Sequence, residues 1–347
     1  MSTSVFSGSP RDGTADILRK VSPATVSAVG GGKAAVKYRT FSNVISSDDP
    51  RACFYARLKD ILLRHMPAAG SLSAAVPGLR LHRRDVSGRP EHCFSRPALT
   101  LIVQGAKRTL IGREDYRYGA GQCLVAGIAM PNMSYCTEAS AEQPCLGLSL
   151  ELDSVLIERF AAGLPAGRQA MPQKCSGVWE TGRDLLDTLC RLAALLDAPE
   201  RTAGLAPILI QQVHLLLLLG PQGGLLHALS TRGGCNHQIQ RGINLLLERV
   251  AQPLDVEELA RHAHMAASTF RRRFRSVTGM SPTLYHKHLQ LYEAQRLILE
   301  EQADVAEAAH RVGYESLSQF SRDYRRILGS SPARHARLLR GRDGQAG

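Results

Sequence analysis

The spacing of apolar residues divides the chain into a strand-like region and several helix-like regions. Between residues 79 and 152, short β-prone runs such as Leu99–Val103 alternate with turn signals such as Gly119–Gly121, roughly every 8–12 residues. Runs of this length and spacing are typical of antiparallel sheets. The pattern therefore predicts an antiparallel β-barrel or sandwich over about residues 79–152.

Apolar residues on both sides of this region follow helical spacing instead. One helix is predicted to begin at Asp49-Pro50, with Asp49 as its cap. Helices are also predicted over 153–230, namely Val155–Ala162, Gly182–Leu196 and Ala206–Leu219. Residues 1–48 are rich in Ser, Gly, Ala and Thr without a period, which predicts a disordered tail. We therefore expect one N-terminal domain over 49–230, with Thr231–Gly234 as the linker to a second domain.

The pattern F-x-R-x-[FY]-R-x3-G-x-S-P occurs twice in the second domain, fifty residues apart. The first copy begins at Phe270 and the second at Phe320. Upstream, Asp255–Ala260 corresponds to Asp304–Ala309 with one residue of slippage. A duplicated helix-turn-helix explains this agreement.

Each copy has the start and stop signals of two short helices. Asp255 with Glu258, and Asp304 with Glu307, have the spacing of a capping box. Gly313 is a turn residue that tolerates a positive φ. We expect helix-turn-helix units over about 255–277 and 304–327, joined by a long helix that starts at Ser281-Pro282, within a domain over 237–340.

The second helix of each unit has the composition of a DNA-reading helix. Phe270 and Phe274, and Phe320 and Tyr324, are expected to pack inward. The residues expected to face outward are Arg271, Arg272, Arg273 and Arg275 in the first unit and Ser318, Ser321, Arg322 and Arg325 in the second. An α-helix fits the major groove, where Arg can donate two hydrogen bonds to a guanine edge, and further Arg can hold phosphates. Two units on a rigid helix can address groove segments roughly 34 Å apart.

Composition adds limits to this picture. The 347 residues suffice for about two domains, and the net charge of +12 favours a polyanionic partner but is spread along the chain. The eight cysteines form no C-x-x-C pair, which disfavours a zinc ribbon. Neither a secretory signal nor an uninterrupted apolar run of membrane-spanning length is evident. We expect a cytoplasmic protein with free thiols, no membrane contact and no cofactor or metal.

The motifs of the second domain resemble those of the AraC/XylS family of bacterial transcription regulators over residues 237–340. Residues 51–230 resemble the N-terminal domain found in one branch of that family. The matching segments there are Leu101–Lys107, Tyr118–Gln122, Pro144–Leu148 and Leu218–Gly223.

The resemblance implies an α+β chain with a cupin-like antiparallel β-barrel, flanking helices and an all-α C-terminal domain. It implies an N-terminal domain that senses a small molecule or dimerises, and an activator that binds promoter DNA and contacts RNA polymerase. The base-facing positions it implies are Ser268, Arg271, Arg272, Ser318, Ser321 and Arg322. One departure is Ala266, which stands where the family has a Ser cap; Ser316 keeps it in the second unit.

The sensing chemistry stays open in the sequence. Cys93, Cys123, Cys136 and Cys145 all fall in the β region, and two of them meeting there would form an oxidant- or electrophile-sensitive site. Buried Cys also serves as a small hydrophobe. A cupin-type enzyme fused to a DNA reader, and a DNA-alkylation repair protein, are the other classes considered. No catalytic pair and no metal-binding cluster supports either one, so we expect no enzymatic activity.

Overall fold

The computed structural model describes residues 49–164, 175–230 and 235–343. The tail predicted over 1–48 and the linker predicted at Thr231–Gly234 lie outside the described residues. Ten strands occur in the described part: β1 (Gly70–Ser73), β2 (Leu79–Arg84), β3 (Glu91–Ser95), β4 (Ala98–Gln104), β5 (Ala106–Ile111), β6 (Glu114–Gly119), β7 (Gln122–Ala126), β8 (Met130–Glu138), β9 (Cys145–Glu151) and β10 (Ser176–Glu180).

The strands pair in antiparallel fashion as two sheets. Sheet A has six strands in the order β1-β2-β9-β4-β7-β10, and sheet B has four in the order β3-β8-β5-β6. The predicted antiparallel β architecture is therefore confirmed, with its strands hydrogen-bonded as two sheets rather than as one closed ring.

Strand β10 corrects the prediction that residues 153–230 are all helical. Its five residues pair with β7, where Trp179 stands opposite Cys123. A run this short is too brief for its periodicity to separate strand from helix. Strand β1 likewise extends the β region to before residue 79.

The described helices are α1 (Ala52–His65), α2 (Ser154–Gly163), α3 (Arg183–Ala194), α4 (Thr202–Leu219), α5 (Gly223–Ser230), α6 (Cys235–Glu248), α7 (Val256–His262), α8 (Ala267–Thr278), α9 (Pro282–Glu300), α10 (Val305–Arg311), α11 (Leu317–Leu328) and α12 (Pro332–Asp343). The start predicted for α1 was wrong by a few residues. Asp49 accepts a hydrogen bond from the Arg51 amide at 2.8 Å and pairs with the Arg51 guanidinium, which together lower the pKa of Asp49 to about 2. That turn precedes the helix, which begins at Ala52.

Helix α4 is more apolar than its sequence pattern indicates. Within the described residues, the segment Pro199–Leu219 is long and apolar enough to cross a membrane by length and composition alone. Gln211, Gln212 and His214 interrupt its apolar run, so no uninterrupted stretch signals it. Leu205, Ile208 and Leu219 are exposed, while the opposite face packs against α2, α3 and α5.

Two hydrophobic cores lie within residues 49–343. The larger core joins both sheets, helices α1 to α8 and the start of α9 up to Leu289. The smaller core joins the rest of α9, from Leu291, to α10 and α11. The division between cores thus falls inside α9, so the first helix-turn-helix unit shares a core with the sheets.

Specific contacts hold the first unit and α9 to the sheets. The Tyr285 hydroxyl donates to the Ala129 carbonyl oxygen at 2.6 Å, and the Cys175 thiol donates to the Val277 carbonyl oxygen at 3.6 Å. The Phe94 ring on β3 meets Tyr285 edge-on, with centroids 5.7 Å apart, and lies 6.0 Å from the Tyr292 ring. Strand β3 and the residue preceding β8 therefore support the linking helix directly.

Candidate functional site

The G-x-S-P that closes each repeat stops one helix and starts the next. Gly279 has φ +75°, and its amide donates to the Arg275 carbonyl oxygen at 2.9 Å, which ends α8 in the left-handed conformation that glycine adopts without strain. The Ser281 hydroxyl accepts from the Leu284 amide at 3.2 Å, and Pro282 fills the first position of α9. Gly329 repeats the stop at φ +72°.

The capping boxes are only half formed. Asp255 accepts from the Glu258 amide at 3.0 Å, but the Glu258 carboxylate pairs with Arg249 at 2.7 Å instead of returning to the cap. Asp304 accepts from the Ala306 amide at 3.1 Å, and Glu307 lies 3.6 Å from Arg311. Because nearby arginines attract both glutamates, each helix keeps its Asp cap without the reciprocal bond.

The two candidate recognition helices present matching stripes. Each stripe has positions i, i+3, i+4 and i+7, which lie on one face of an α-helix. The stripe of α8 is Ser268, Arg271, Arg272 and Arg275, and the stripe of α11 is Ser318, Ser321, Arg322 and Arg325. Apart from half-buried Ser321, these side chains are exposed. The structure thus brings eight of the nine predicted DNA-contacting residues onto two equivalent surfaces.

Several stripe residues have partners that DNA would have to replace or share. Arg271 donates to Glu257 at 2.6 Å, and Arg322 donates to the Gln319 side-chain oxygen at 2.8 Å. Arg272, Arg275 and Arg325 form no ion pair with any residue in the described ranges. Their guanidinium groups are therefore available to a polyanion without breaking an internal contact.

The ninth predicted residue, Arg273, lies off the stripe and is half-buried. Its counterpart in the second unit is Asp323, for which the sequence pattern predicts no role. The Asp323 carboxylate accepts from Lys287 at 3.1 Å, Gln319 at 3.0 Å and Tyr314 at 3.3 Å. Burial alone would raise the pKa of Asp323, but the hydrogen bonds from Gln319 and Lys287 outweigh it and the pKa is lowered. Asp323 thereby ties α11 to the linking helix, and the first unit has no such tie among the described residues.

The slippage between the repeats lies in the turn. Four residues separate α7 from α8, whereas five separate α10 from α11. Gly313 occupies the second turn at φ +87°, and a Cβ there would lie 2.3 Å from the Ala251 carbonyl oxygen. His264 occupies the corresponding place in the first turn at φ +52°. A left-handed conformation is costly for a side chain other than glycine, so the first turn is the more strained.

The two recognition helices also differ in their caps, as the sequence predicts. Ala266 precedes α8 with extended backbone and no side-chain cap, whereas the Ser316 hydroxyl accepts from the Gln319 amide at 3.3 Å. We expect Ala266→Ser to stabilise the protein by about 1 kcal/mol, because it supplies the missing acceptor at an N-cap backbone already in place. Urea denaturation followed by circular dichroism measures this.

The matched control is Ser316→Ala, which removes the same interaction from the second unit and should lose a similar amount. A loss for Ser316→Ala without any gain for Ala266→Ser would show that the cap is not what weakens the first unit.

A cavity of about 160 Å³ lies between the two sheets of the N-terminal region. Sheet A contributes His82, Thr100 and Cys145 to its lining, and sheet B contributes Lys107 and Cys136. A volume of this order is large enough for a molecule about the size of benzene. Burial lowers the pKa of His82 to about 3, so the ring is neutral; its nitrogens lie 3.1 Å from Ser71 Oγ and 2.9 Å from Ser149 Oγ.

Of the four candidate cysteines, the structure brings together two. Cys136 and Cys145 both line the cavity, and the Cys145 thiol donates to the Ala106 carbonyl oxygen at 3.8 Å, next to Lys107, the strand partner of Cys136. Cys93 lies on β3 outside the cavity lining, and burial raises the pKa of its thiol. Cys123 is fully buried on β7, where burial raises its pKa to about 11. Cys123 is thus a core residue, as the hydrophobe interpretation proposed.

Metal chemistry has no support in the described part of the chain. Residues 49–164, 175–230 and 235–343 contain no group of three or more His, Cys, Asp or Glu arranged to hold an ion.

Comparison with known proteins assigns both halves. Residues 75–225 match the model of the AraC-type transcriptional regulator N-terminus, and residues 259–337 match that of a helix-turn-helix domain. The chain belongs to the AraC family of transcriptional regulators. This AraC-family chain is therefore a DNA-binding transcription regulator with an N-terminal β domain, as the motifs predicted.

Individual relatives span both halves. The thermoregulatory protein LcrF of Yersinia pestis is 26% identical over 252 residues, which cover 71% of this chain and 90% of LcrF. The transcriptional activator RhaS of Escherichia coli is 27% identical over 194 residues, 54% of this chain and 66% of RhaS. These similar proteins are transcription regulators.

Solved structures support the fold. An apo form of ToxT from Vibrio cholerae, a variant with one substitution, has a TM-score of 0.54 and 10% identity, and the match covers 77% of this chain and all of ToxT. ToxT bound to a naphthalenyl-butenoic acid has a TM-score of 0.56 and 10% identity over 75% of this chain and 98% of ToxT. At this identity the likeness concerns the fold alone.

Proposed function

We propose that this chain is a small-molecule-responsive activator that reads two adjacent major-groove segments with α8 and α11. The observation that carries the proposal is the pair of equivalent exposed stripes on α8 and α11. Arg272 and Arg322 occupy the same place in each stripe and are assigned to base edges. The remaining cations, Arg271, Arg273, Arg275 and Arg325, are assigned mainly to phosphates, and the serines Ser268, Ser318 and Ser321 to either.

The two units divide the work unequally in this proposal. The first has three exposed arginines on its stripe but an uncapped helix and a strained turn. The second has a capped helix anchored through Asp323. The first unit therefore contributes more phosphate attraction, and the second a better-ordered reading helix.

The effector is proposed to enter the cavity between the sheets. Strand β8 lines that cavity, and Ala129, directly before β8, accepts the Tyr285 hydroxyl of the linking helix. Occupancy of the cavity can thereby bias the position of α9. ToxT, which shares the fold, has been crystallised with a naphthalenyl-butenoic acid and with an unsaturated fatty acid.

Further partners follow from the same assignment. An activator contacts RNA polymerase at its promoter, and it works in the cytoplasm where the chromosome lies. The exposed apolar side chains of α4, among them Ile208, which is 61% exposed, are proposed to pack against a second copy of the chain. Sedimentation velocity of the full chain, run beside Ile208→Asp, tests this: a monomer in both cases contradicts it.

The salt dependence of DNA binding tests the phosphate assignment. The affinity of the full chain for a fluorescent duplex of random sequence should fall steeply with salt concentration, since bound arginines release counterions. Arg271→Ala and Arg273→Ala should each reduce the slope of log K against log salt by about one. Fluorescence anisotropy over a salt series measures the slope.

Arg201→Ala is the matched control, because Arg201 is exposed on the N-terminal half, far from α8 in sequence. Its slope should equal that of the wild type. Unchanged slopes for both α8 variants would refute the phosphate contacts, and binding that is insensitive to salt would refute the DNA assignment as a whole.

A further inference from the structure

The Cys136–Cys145 pair joins the two sheets at the wall of the cavity. Cys136 lies near the end of β8 in sheet B, and Cys145 begins β9 in sheet A. The end of β8 and the start of β9 meet at Gly105, where a Cβ would lie 2.6 Å from the Glu138 carbonyl oxygen and 3.1 Å from Cys145 Cα, and both cysteines line the cavity of about 160 Å³. Small solutes that enter the cavity therefore reach both sulfur atoms.

Two cations flank the thiols. Lys107 is the direct register partner of Cys136, and Arg84 is the register partner of Cys145, so each pair projects from the same face of its sheet. Glu91 neutralises Arg84 through contacts of 2.6 and 2.7 Å. The Lys107 ammonium has no hydrogen bond or ion pair to the described residues, although Lys107 is half-buried at the cavity wall. The positive charge of Lys107 therefore acts on the two thiols.

The groups around the two thiols make Cys136 the nucleophile and Cys145 its partner. The neighbouring Cys145 thiol lowers the pKa of Cys136 against the effect of burial, and Lys107 and Arg84 lower it further. The neighbouring Cys136, together with burial, raises the pKa of Cys145. Burial also raises the pKa of Cys175 to about 11, as it does that of Cys123. A thiolate is the reactive form of cysteine, so Cys136 is favoured over those two buried thiols.

We propose that Cys136 and Cys145 form a reversible dithiol–disulfide site that hydrogen peroxide oxidises inside the cavity. The Cys136 thiolate attacks one peroxide oxygen, the O–O bond breaks, and the leaving hydroxide takes a proton to become water. The Cys145 sulfur then attacks the Cys136 sulfenic acid; the S–S bond forms, the S–O bond breaks, and the Cys145 proton leaves with the hydroxyl as a second water. Two thiols and one peroxide thus give one disulfide and two waters.

A disulfide at this place links sheet A to sheet B across the cavity. Strand β8 carries Cys136 near one end, and the residue before its other end, Ala129, holds Tyr285 of the linking helix. Formation of the disulfide can therefore transmit a structural change from the cavity to the DNA-binding helices. This coupling rests on the proposed function, whereas the oxidation chemistry does not.

The test is oxidation of the reduced full chain by hydrogen peroxide, followed by intact mass and peptide mapping. We expect the loss of two hydrogens, one peptide cross-link between Cys136 and Cys145, and full reversal by dithiothreitol. Cys53→Ser, which removes an exposed thiol on α1, should behave as the wild type. A cross-link between other cysteines, or no cross-link while other thiols oxidise, would overturn the proposal.

Two variants test the roles of Cys145 and Lys107 separately. Cys145→Ala should stop the reaction at a Cys136 sulfenic acid that dimedone traps, because the resolving thiol is gone. Lys107→Gln should slow alkylation of Cys136 by iodoacetamide about tenfold, as expected for a thiol pKa raised by about one unit. Equal labelling of Cys136 with and without Lys107 would contradict the assigned role.

Duplex binding by the reduced wild type, measured separately, reports on the proposed function. If the reduced protein does not bind the duplex, the mass-spectrometric result can still be interpreted. If the cross-link does not form, the proposed DNA binding is unaffected.

Discussion

Replacing Phe320 by Ala is expected to unfold the second helix-turn-helix unit and abolish sequence-specific DNA binding. The Phe320 side chain is fully buried, with its ring centroid 5.3 Å from that of Tyr314 and 5.4 Å from that of Tyr324. Truncating a buried Phe costs about 3–5 kcal/mol, because the cavity left behind loses both burial and packing. Besides Phe320, the buried aromatic side chains of the smaller core are Tyr292 and Tyr324.

Two optical probes distinguish this from general unfolding. Circular dichroism at 222 nm should show an early urea transition from the loss of α10 and α11. The single tryptophan, Trp179, is partly buried on β10 and packs against the larger core, so its fluorescence transition should stay where it is in the wild type. Phe320→Leu is the control and should cost less than about 1.5 kcal/mol. A joint shift of both probes would contradict the division into two cores.

Removing one base-reading arginine at a time is expected to relax the DNA sequence preference of one groove segment. Arg272→Ala and Arg322→Ala should each cost about 1–3 kcal/mol in specific binding, the value of a bidentate contact between Arg and guanine. Both side chains are exposed, so neither substitution opens a cavity. Competition binding with specific and random duplexes measures the loss.

Nonspecific affinity should change far less than specific affinity in both variants, because the other arginines of the stripes remain. Arg201→Ala again serves as the control, with no loss expected. Retained specificity in both α8 and α11 variants would remove the base-reading role from these helices.

The local parts of the fold were predictable from the sequence because short-range chemistry determines them. Gly279 and Ser281 stop and start helices within a few residues of each other, and the repeat made their roles visible twice. Asp323 was missed because its partners include Lys287 on α9 and Tyr314 in the turn before α11, which sequence spacing does not bring together. A buried carboxylate within a basic helix looks like a surface charge until the packing is known.

The cavity was harder to foresee. Cys136 and Cys145 are close in sequence. The site also depends on Lys107 and Arg84, which lie opposite Cys136 and Cys145 on the neighbouring strands. That arrangement depends on strand order and register, which no local pattern specifies. The boundary between the two hydrophobic cores inside α9 was also not predictable from the sequence. The apolar face of that helix continues without a break across the boundary.

The paired reading of DNA by α8 and α11 can be measured by selecting binding sites from a random DNA library with the full chain and its two arginine variants. We expect the wild type to enrich a two-part site whose halves lie about one helical turn apart, roughly 10 base pairs. Arg272→Ala should lose the preference in one half only and Arg322→Ala in the other only. Loss of the same positions in both variants, or a wild type that enriches no two-part site, would contradict this paired reading.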